Sequence, residues 1–176
     1  MVARIEEKND QHFWNFLFSI LFALLLVLSI RYVMSAGLLP QGGIPLFDVL
    51  LMSLAIFRVT RLVVYDRITA FLRDIFLRSR TVRDAEGREV VERVSYINGP
   101  LRTIHDLLDC PWCVGVWVAL ATLFSYLVFS FAWYVIFLLA IAGAGSFLQV
   151  FSNMIGWKAE LLKREAKERG TAQKDR

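Results

Sequence analysis

Long uncharged stretches alternate with charged blocks along this chain. Residues 13–30 are 18 residues without a charge, residues 44–65 are apolar apart from three charged side chains, and residues 110–157 are 48 residues without a charge. A helix rises about 1.5 Å per residue and a hydrocarbon core is about 30 Å thick. The first two stretches therefore each predict one membrane-spanning helix. The third is long enough for about two such helices and predicts a helical hairpin.

The predicted fold is an all-α membrane protein with four transmembrane helices, an interfacial amphipathic helix and a cytoplasmic loop. The predicted segments are a cytoplasmic N-terminus (1–12), transmembrane helix 1 (13–34), an external loop (35–44), helix 2 (45–65), an Arg-rich cytoplasmic loop (66–109), helix 3 (110–130), helix 4 (133–155) and a charged cytoplasmic tail (156–176). A cleaved signal peptide is the alternative interpretation of the first stretch. The stretch is long for a signal peptide and acidic residues precede it, so we expect a retained helix.

Within the polar loop, apolar residues recur at helical spacing in two places. The two sets are Ile68, Phe71, Leu72, Ile75 and Phe76, and Leu101, Ile104, Leu107 and Leu108. The first set, with charged residues between its members, is typical of a helix lying in the membrane interface. The second predicts a short amphipathic helix before helix 3. Between them, residues 81–83 and 89–91 flank a turn-like sequence, for which a β-hairpin and a mobile loop are both open interpretations.

The distribution of basic residues predicts the orientation. Of 20 Lys and Arg residues, two precede helix 1, ten lie in residues 58–102 and seven in the tail, which leaves Arg31 alone for the opposite side. Lys and Arg concentrate in cytoplasmic loops. Four helices with both termini cytoplasmic satisfy this rule, so we expect a multi-pass protein of the cytoplasmic (inner) membrane.

The amino-acid composition limits the kinds of partner that this protein is expected to bind. The chain is 57% hydrophobic, with a mean hydropathy of +0.52 and a net charge of +4. A basic excess flanking apolar segments indicates an anionic membrane surface rather than nucleic acid. We expect contact with the lipid bilayer, including anionic lipids, and either a membrane protein partner or a homo-oligomer, with no nucleic acid.

Both cysteines, Cys110 and Cys113, lie in a CPWC sequence at the start of helix 3. Asp109 or Cys110 fits the N-cap and Pro111 fits the first turn, which places both thiols near unpaired N–H groups that favour a thiolate. The open interpretations are structural thiols, a redox pair, or a metal site with His105 that a second chain must complete. CPWC resembles the glutaredoxin active site, but no βαβ pattern precedes it. We therefore expect structural thiols and no cofactor, with Zn only if an oligomer completes the site.

A second constellation lies at the end of helix 2. Arg58 and Arg61 share one helix face, and Asp66 and Arg67 follow. An arginine at mid-bilayer costs about 2.5–3.5 kcal/mol, so these side chains must lie near the boundary or face protein. An ion-pair network or a site for a lipid headgroup is one interpretation, and a simple positive-inside anchor is the other.

Small residues predict where the helices pack closely. They are Gly115 and Ala119 in helix 3, and Gly143 and Gly145 in helix 4. Small side chains let helix backbones approach each other in a membrane. The sequence contains no recognisable nucleophile–base pair or phosphate-binding loop, so we expect a non-enzymatic protein, a helix-packing or assembly partner in the membrane.

The sequence FRVTRLVVYDRIT (57–69), together with CPWCVGVWVA (110–119), resembles a family of small bacterial and phage membrane proteins described as a domain of unknown function. That family includes a Bacillus sporulation-associated protein. The resemblance covers about residues 45–149 and implies membership and topology without an activity. The matching positions are Arg58, Arg61, Asp66, Cys110, Pro111, Cys113, Gly115 and Trp117.

Overall fold

The computed structural model describes residues 2–75, 77–83, 89–96 and 98–174. Within these residues the fold is all-α apart from one β-hairpin. Its elements are α1 (Val2–Ser35), α2 (Leu46–Val64), a 3-10 turn (Arg67–Thr69), α3 (Ala70–Asp74), β1 (Leu77–Arg83), β2 (Glu89–Ser95), α4 (Pro100–Asp109), α5 (Pro111–Val128) and α6 (Ala132–Lys174).

Three helical segments in the described part of the chain are long and apolar enough to cross a membrane. They are Gln11–Ser35 in α1, Pro111–Val128, which is α5, and Ala132–Ala166 in α6. The predicted second span, α2, has 19 residues and is about 28 Å long. α2 is not one of the three segments named above, and its sequence includes the charged residues Asp48, Arg58 and Arg61.

α2 nevertheless lies at the centre of the bundle, between α5 and α6. Its Leu51, Met52 and Ala55 form the main hydrophobic core with residues of α6. The α6 residues of this core are Ala132, Ile136 and Ala140. By contrast, α1 packs mainly against α4 and α5, and Val33 is its one buried residue between residues 11 and 35.

The terminal helices are longer than the apolar segments that they contain. α1 begins at Val2, well before the predicted start at residue 13, and α6 runs unbroken past Gly156 to Lys174. At 43 residues, α6 is about 64 Å long, roughly twice the thickness of a hydrocarbon core. The turn between α5 and α6 occupies residues 129–131, close to the predicted break between helix 3, ending at 130, and helix 4, beginning at 133.

The predicted interfacial helix of residues 68–76 was wrong in its extent. The chain forms a 3-10 turn and then a five-residue α3, and Phe76 lies outside the described residues. The Thr69 hydroxyl donates to the carbonyls of Leu62 and Asp66, which holds the chain against the end of α2 and interrupts a regular helix. Ile68, Phe71 and Ile75 remain exposed.

The segment between α3 and α4 contains a β-hairpin, one of the two interpretations of its sequence. β1 and β2 pair antiparallel from Leu77↔Ser95 to Arg83↔Glu89. The turn residues 84–88 lie outside the described part of the chain. The second predicted amphipathic helix is confirmed as α4, which begins with Pro100 in its first turn.

Candidate functional site

The basic end of α2 holds the first group of candidate residues. Arg58 Nη1 lies 3.0 Å from Asp66 Oδ2, and the two side chains are only 26% and 27% exposed. The guanidinium of Arg61 lies over two aromatic rings, 5.8 Å from the centre of Phe57 and 5.5 Å from that of Tyr65. The two arginines therefore have different partners, a carboxylate for Arg58 and π faces for Arg61.

Two residues that the sequence analysis missed close the same helix end. Arg73 donates from Nη1 to the Val63 carbonyl at 2.6 Å and from Nη2 to the Asp66 carbonyl at 3.1 Å. Thr69 donates to the Leu62 and Asp66 carbonyls. These bonds satisfy carbonyls that a helix C-terminus leaves unpaired, and Arg73 places positive charge at the negative end of the dipole. Arg67, which the sequence grouped with this cluster, is exposed.

The CPWC sequence forms the start of α5, as predicted. Cys110 is the N-cap residue and Pro111 the first helical residue. The backbone N–H of Cys113 donates to Cys110 Sγ at 3.3 Å. Both thiols are free; Cys110 is half-buried and Cys113 exposed. Hydrogen bonds from the Cys113 side chain and then from its backbone N–H hold the pKa of the Cys110 thiol below its ordinary value.

His105, the third residue proposed for a metal or thiol site, lies near a carboxylate. Its Nδ1 lies 3.6 Å from Asp106 Oδ1, and Arg102 Nε lies 3.5 Å from Asp106 Oδ2. Among the described residues, no cluster of three or more His, Cys, Asp or Glu side chains could hold a metal ion. A metal at Cys110 and Cys113 would therefore need ligands from outside this described set.

A polar contact joins α1 to α4 at the same end of the bundle. Thr103, which is only 6% exposed, donates to Asn15 Oδ1 at 3.0 Å. Gln11 Nε2 donates to both Thr103 Oγ1 at 2.8 Å and Asn15 Oδ1 at 3.1 Å. This contact places the first turns of the α1 membrane segment beside α4 and the start of α5.

At the opposite end of α2, a carboxylate joins three helices. The Tyr126 hydroxyl of α5 donates to Asp48 Oδ2 at 2.5 Å, and Trp133 Nε1 of α6 donates to Asp48 Oδ1 at 3.3 Å. Asp48 also lies in the first turn of α2, where the helix dipole favours a negative charge. From the sequence, Asp48 is only an acid near the start of a helix, because its two donors are 78 and 85 residues away.

The small residues differ in what they contact. At Gly143, a Cβ would collide with the Leu54 carbonyl of α2 and lie 3.4 Å from Arg58 Cβ. At Gly115, a Cβ would make only an ordinary contact, 3.8 Å from Thr60 Oγ1. Ala119 is half-buried. A Cβ at Gly145 would meet no atom within 4 Å, so the close approach of α6 to α2 occurs at Gly143 and not at Gly145.

Residues 51–152, which include the Arg58–Asp66 pair and both cysteines, match the family described as "Protein of unknown function (DUF1360)". The chain belongs to this family. It is 38% identical to Sporulation protein YjcA of Bacillus subtilis (strain 168) over 102 residues, which are 57% of this chain and 86% of that protein. It is 36% identical to UPF0713 protein YngL of the same organism over 101 residues, 57% of this chain and 74% of that protein. No solved structure matches the chain.

Proposed function

We propose that this protein is a four-helix integral protein of the cytoplasmic membrane that acts as a non-enzymatic packing or assembly partner. The observation that carries this proposal is the pairing of the charges on α2. Asp48 accepts hydrogen bonds from two neighbouring helices, Arg58 pairs with Asp66, and Arg61 lies over aromatic rings. These charged side chains have their partners within the protein itself, which fits residues that hold the helices of a bundle together.

Packing supports counting α2 as the fourth membrane helix. It lies between α5 and α6, both long and apolar enough to span, and Gly143 brings the α6 backbone against the Leu54 carbonyl. Because α2 shares the depth of its two neighbours, its termini lie near the two surfaces. Asp48 lies in the first turn of α2 and Arg61 in the last, where the cost of a charge is lowest, and Arg58, nearer the middle, is paired with Asp66.

Both termini and the hairpin are proposed to be cytoplasmic. The test is labelling of single cysteines by a membrane-impermeant maleimide in intact cells, on a Cys110→Ser/Cys113→Ser background. We expect labelling of Gln41→Cys from outside, and labelling of Ser95→Cys or of Ala166→Cys in the tail only after the membrane is opened. Labelling of Ser95→Cys in intact cells would reverse the orientation.

The assembly role can be tested at the outer face of α1. Nearly all of its apolar side chains are exposed within the chain, for example Phe16 at 64%, Leu24 at 52% and Leu28 at 54%. A photoreactive amino acid at Leu24 should give one adduct of discrete mass in the native membrane. An adduct of twice the chain mass indicates a homo-oligomer, and another discrete mass indicates a different membrane protein. The control is Leu161, equally exposed at 55% but in the tail. Lipid adducts alone at Leu24 would contradict an assembly role for α1.

A thiol site at Cys110 and Cys113 is the second candidate. The observation that favours it is the hydrogen bond of 3.3 Å from the Cys113 N–H to Cys110 Sγ at a helix N-terminus, which favours a thiolate. Metal analysis of the purified protein tests the inter-chain version, which requires one Zn per two chains. A protein without bound Zn whose Cys110 is alkylated like an ordinary thiol would exclude this function.

A further inference from the structure

A cavity of about 370 Å³ lies between α1, α4 and α5. Two of its walls belong to the segments Gln11–Ser35 and Pro111–Val128, which are long and apolar enough to cross a membrane. The third wall belongs to α4, which is outside those segments. The cavity therefore bridges the membrane boundary, and a ligand that fills it must be polar at one end and apolar at the other.

The polar end of the cavity is formed by Asn15, Ser19, Thr103 and Asp106. Asn15 uses its Oδ1 to accept from Thr103, so its amide nitrogen is left to donate. Asp106 is the charged residue of the lining, and no Lys or Arg is among the described residues that line the cavity. Arg102 approaches Asp106 from within α4, and the Asp106 side chain is still 50% exposed.

The apolar end is formed mainly by aromatic rings. Phe18 and Phe22 face it from α1, and Trp117 faces it from α5. The rings of Phe22 and Trp117 meet edge to face with their centres 5.1 Å apart. Such rings provide a rigid apolar surface at the level where a membrane lipid changes from headgroup to acyl chain.

We infer that this cavity binds a phospholipid with an amine headgroup. The ammonium group pairs with Asp106, the glycerol ester accepts from Asn15, and an acyl chain lies along the aromatic wall. An anionic headgroup would face the Asp106 carboxylate, and Arg102, which pairs with that carboxylate along α4, is not among the residues that line the cavity. This site is separate from the arginines at the end of α2 and does not depend on the assembly role.

Cys113 lines the cavity and provides the readout. In the full-length Cys110→Ser variant it is the one remaining thiol, and Ser keeps a good N-cap for α5. We would measure the rate of iodoacetamide alkylation of this protein in nanodiscs containing phosphatidylethanolamine or phosphatidylglycerol. We expect phosphatidylethanolamine to slow alkylation about tenfold, because a charge-assisted contact adds about that factor in affinity.

Asp106→Asn should abolish this difference, whereas Asp109→Asn, which alters an exposed acid outside the cavity, should retain it. Both acids are exposed on α4, so neither substitution should prevent folding. Equal rates in the two lipids would overturn the inference, as would slower alkylation in phosphatidylglycerol. The inference would also be overturned if Asp106→Asn kept the difference in alkylation rate between the two lipids, or if Asp109→Asn lost it. Either result would show that the cavity carboxylate does not select the headgroup.

Discussion

Asp66 folds back beneath α2 to pair with Arg58, with 3.0 Å between Oδ2 and Nη1. Asp66 lies two residues beyond the last residue of α2. Its backbone carbonyl accepts hydrogen bonds from Arg73 and Thr69. One residue thus joins an arginine within α2 to the side chains that close its C-terminus. The arginine is held close to Gly143 of α6, so the ion pair and the helix contact are neighbours.

Asp66→Asn should lower the free energy of unfolding by about 1–2 kcal/mol. The estimate lies between those for exposed and fully buried pairs, because both side chains are about a quarter exposed. Thermal unfolding in detergent gives the measurement, with exposed Arg67→Gln as a control expected to change stability by less than about 0.5 kcal/mol. The Arg58→Gln/Asp66→Asn double variant should lose less than the sum of the single losses. Strict additivity would show that the two groups do not interact.

This pair also shows which contacts of the candidate site can be predicted from the sequence. Asp66 was grouped with Arg58 because it follows soon after the two arginines, and the CPWC pattern predicted an N-cap at Asp109 or Cys110, of which the structure has Cys110. Both predictions depend on residues close in the chain. Periodicity identifies a helix face but not the residue that will contact it. The Asp48 contacts with Tyr126 and Trp133 join distant segments, so only the packed bundle reveals them.

The interfacial helix of residues 68–76 failed for a related reason. Its apolar spacing was genuine, but Thr69 and Arg73 bond to carbonyls at the end of α2. A Thr and an Arg within ten residues after a helix end were the available signal, and such side chains can satisfy final carbonyls. Capping of the preceding helix therefore prevails over formation of one regular amphipathic helix.

Gly143→Ala should destabilise the contact between α2 and α6 by about 1–3 kcal/mol, the usual cost of forcing an atom into a packed interface. The added Cβ would meet the Leu54 carbonyl, and the backbone of α2 cannot move aside as a flexible side chain could. Gly145→Ala is the matched control. Its Cβ would contact no atom within 4 Å, so it should be neutral or slightly stabilising through helix propensity. Similar melting temperatures for the two variants would exclude close packing at Gly143.

Tyr126→Phe should cost about 1.5–3 kcal/mol, the value for a hydrogen bond to a charged group. The substitution removes the shorter of the two bonds to Asp48 and leaves that carboxylate with Trp133 alone. Tyr134→Phe removes a hydroxyl from a side chain that is 72% exposed and should be almost neutral. Unfolding followed by tryptophan fluorescence compares the variants. Equal stability of both with the wild type would mean that Asp48 does not hold the helices together.

Cys113 and Asp109 should have opposite effects on the reactivity of Cys110. The hydrogen bond from the Cys113 side chain contributes most to lowering the pKa of Cys110, and the charge of Asp109 opposes it. Cys113→Ala should therefore raise the pH at which alkylation of Cys110 is half-maximal, because less thiolate is present at a given pH. Asp109→Asn should shift the same midpoint downward.

Mass spectrometry of the alkylated peptides across a pH series separates the two thiols in the wild type. A midpoint that Cys113→Ala leaves unchanged or lowers would show that the hydrogen bond does not stabilise the thiolate.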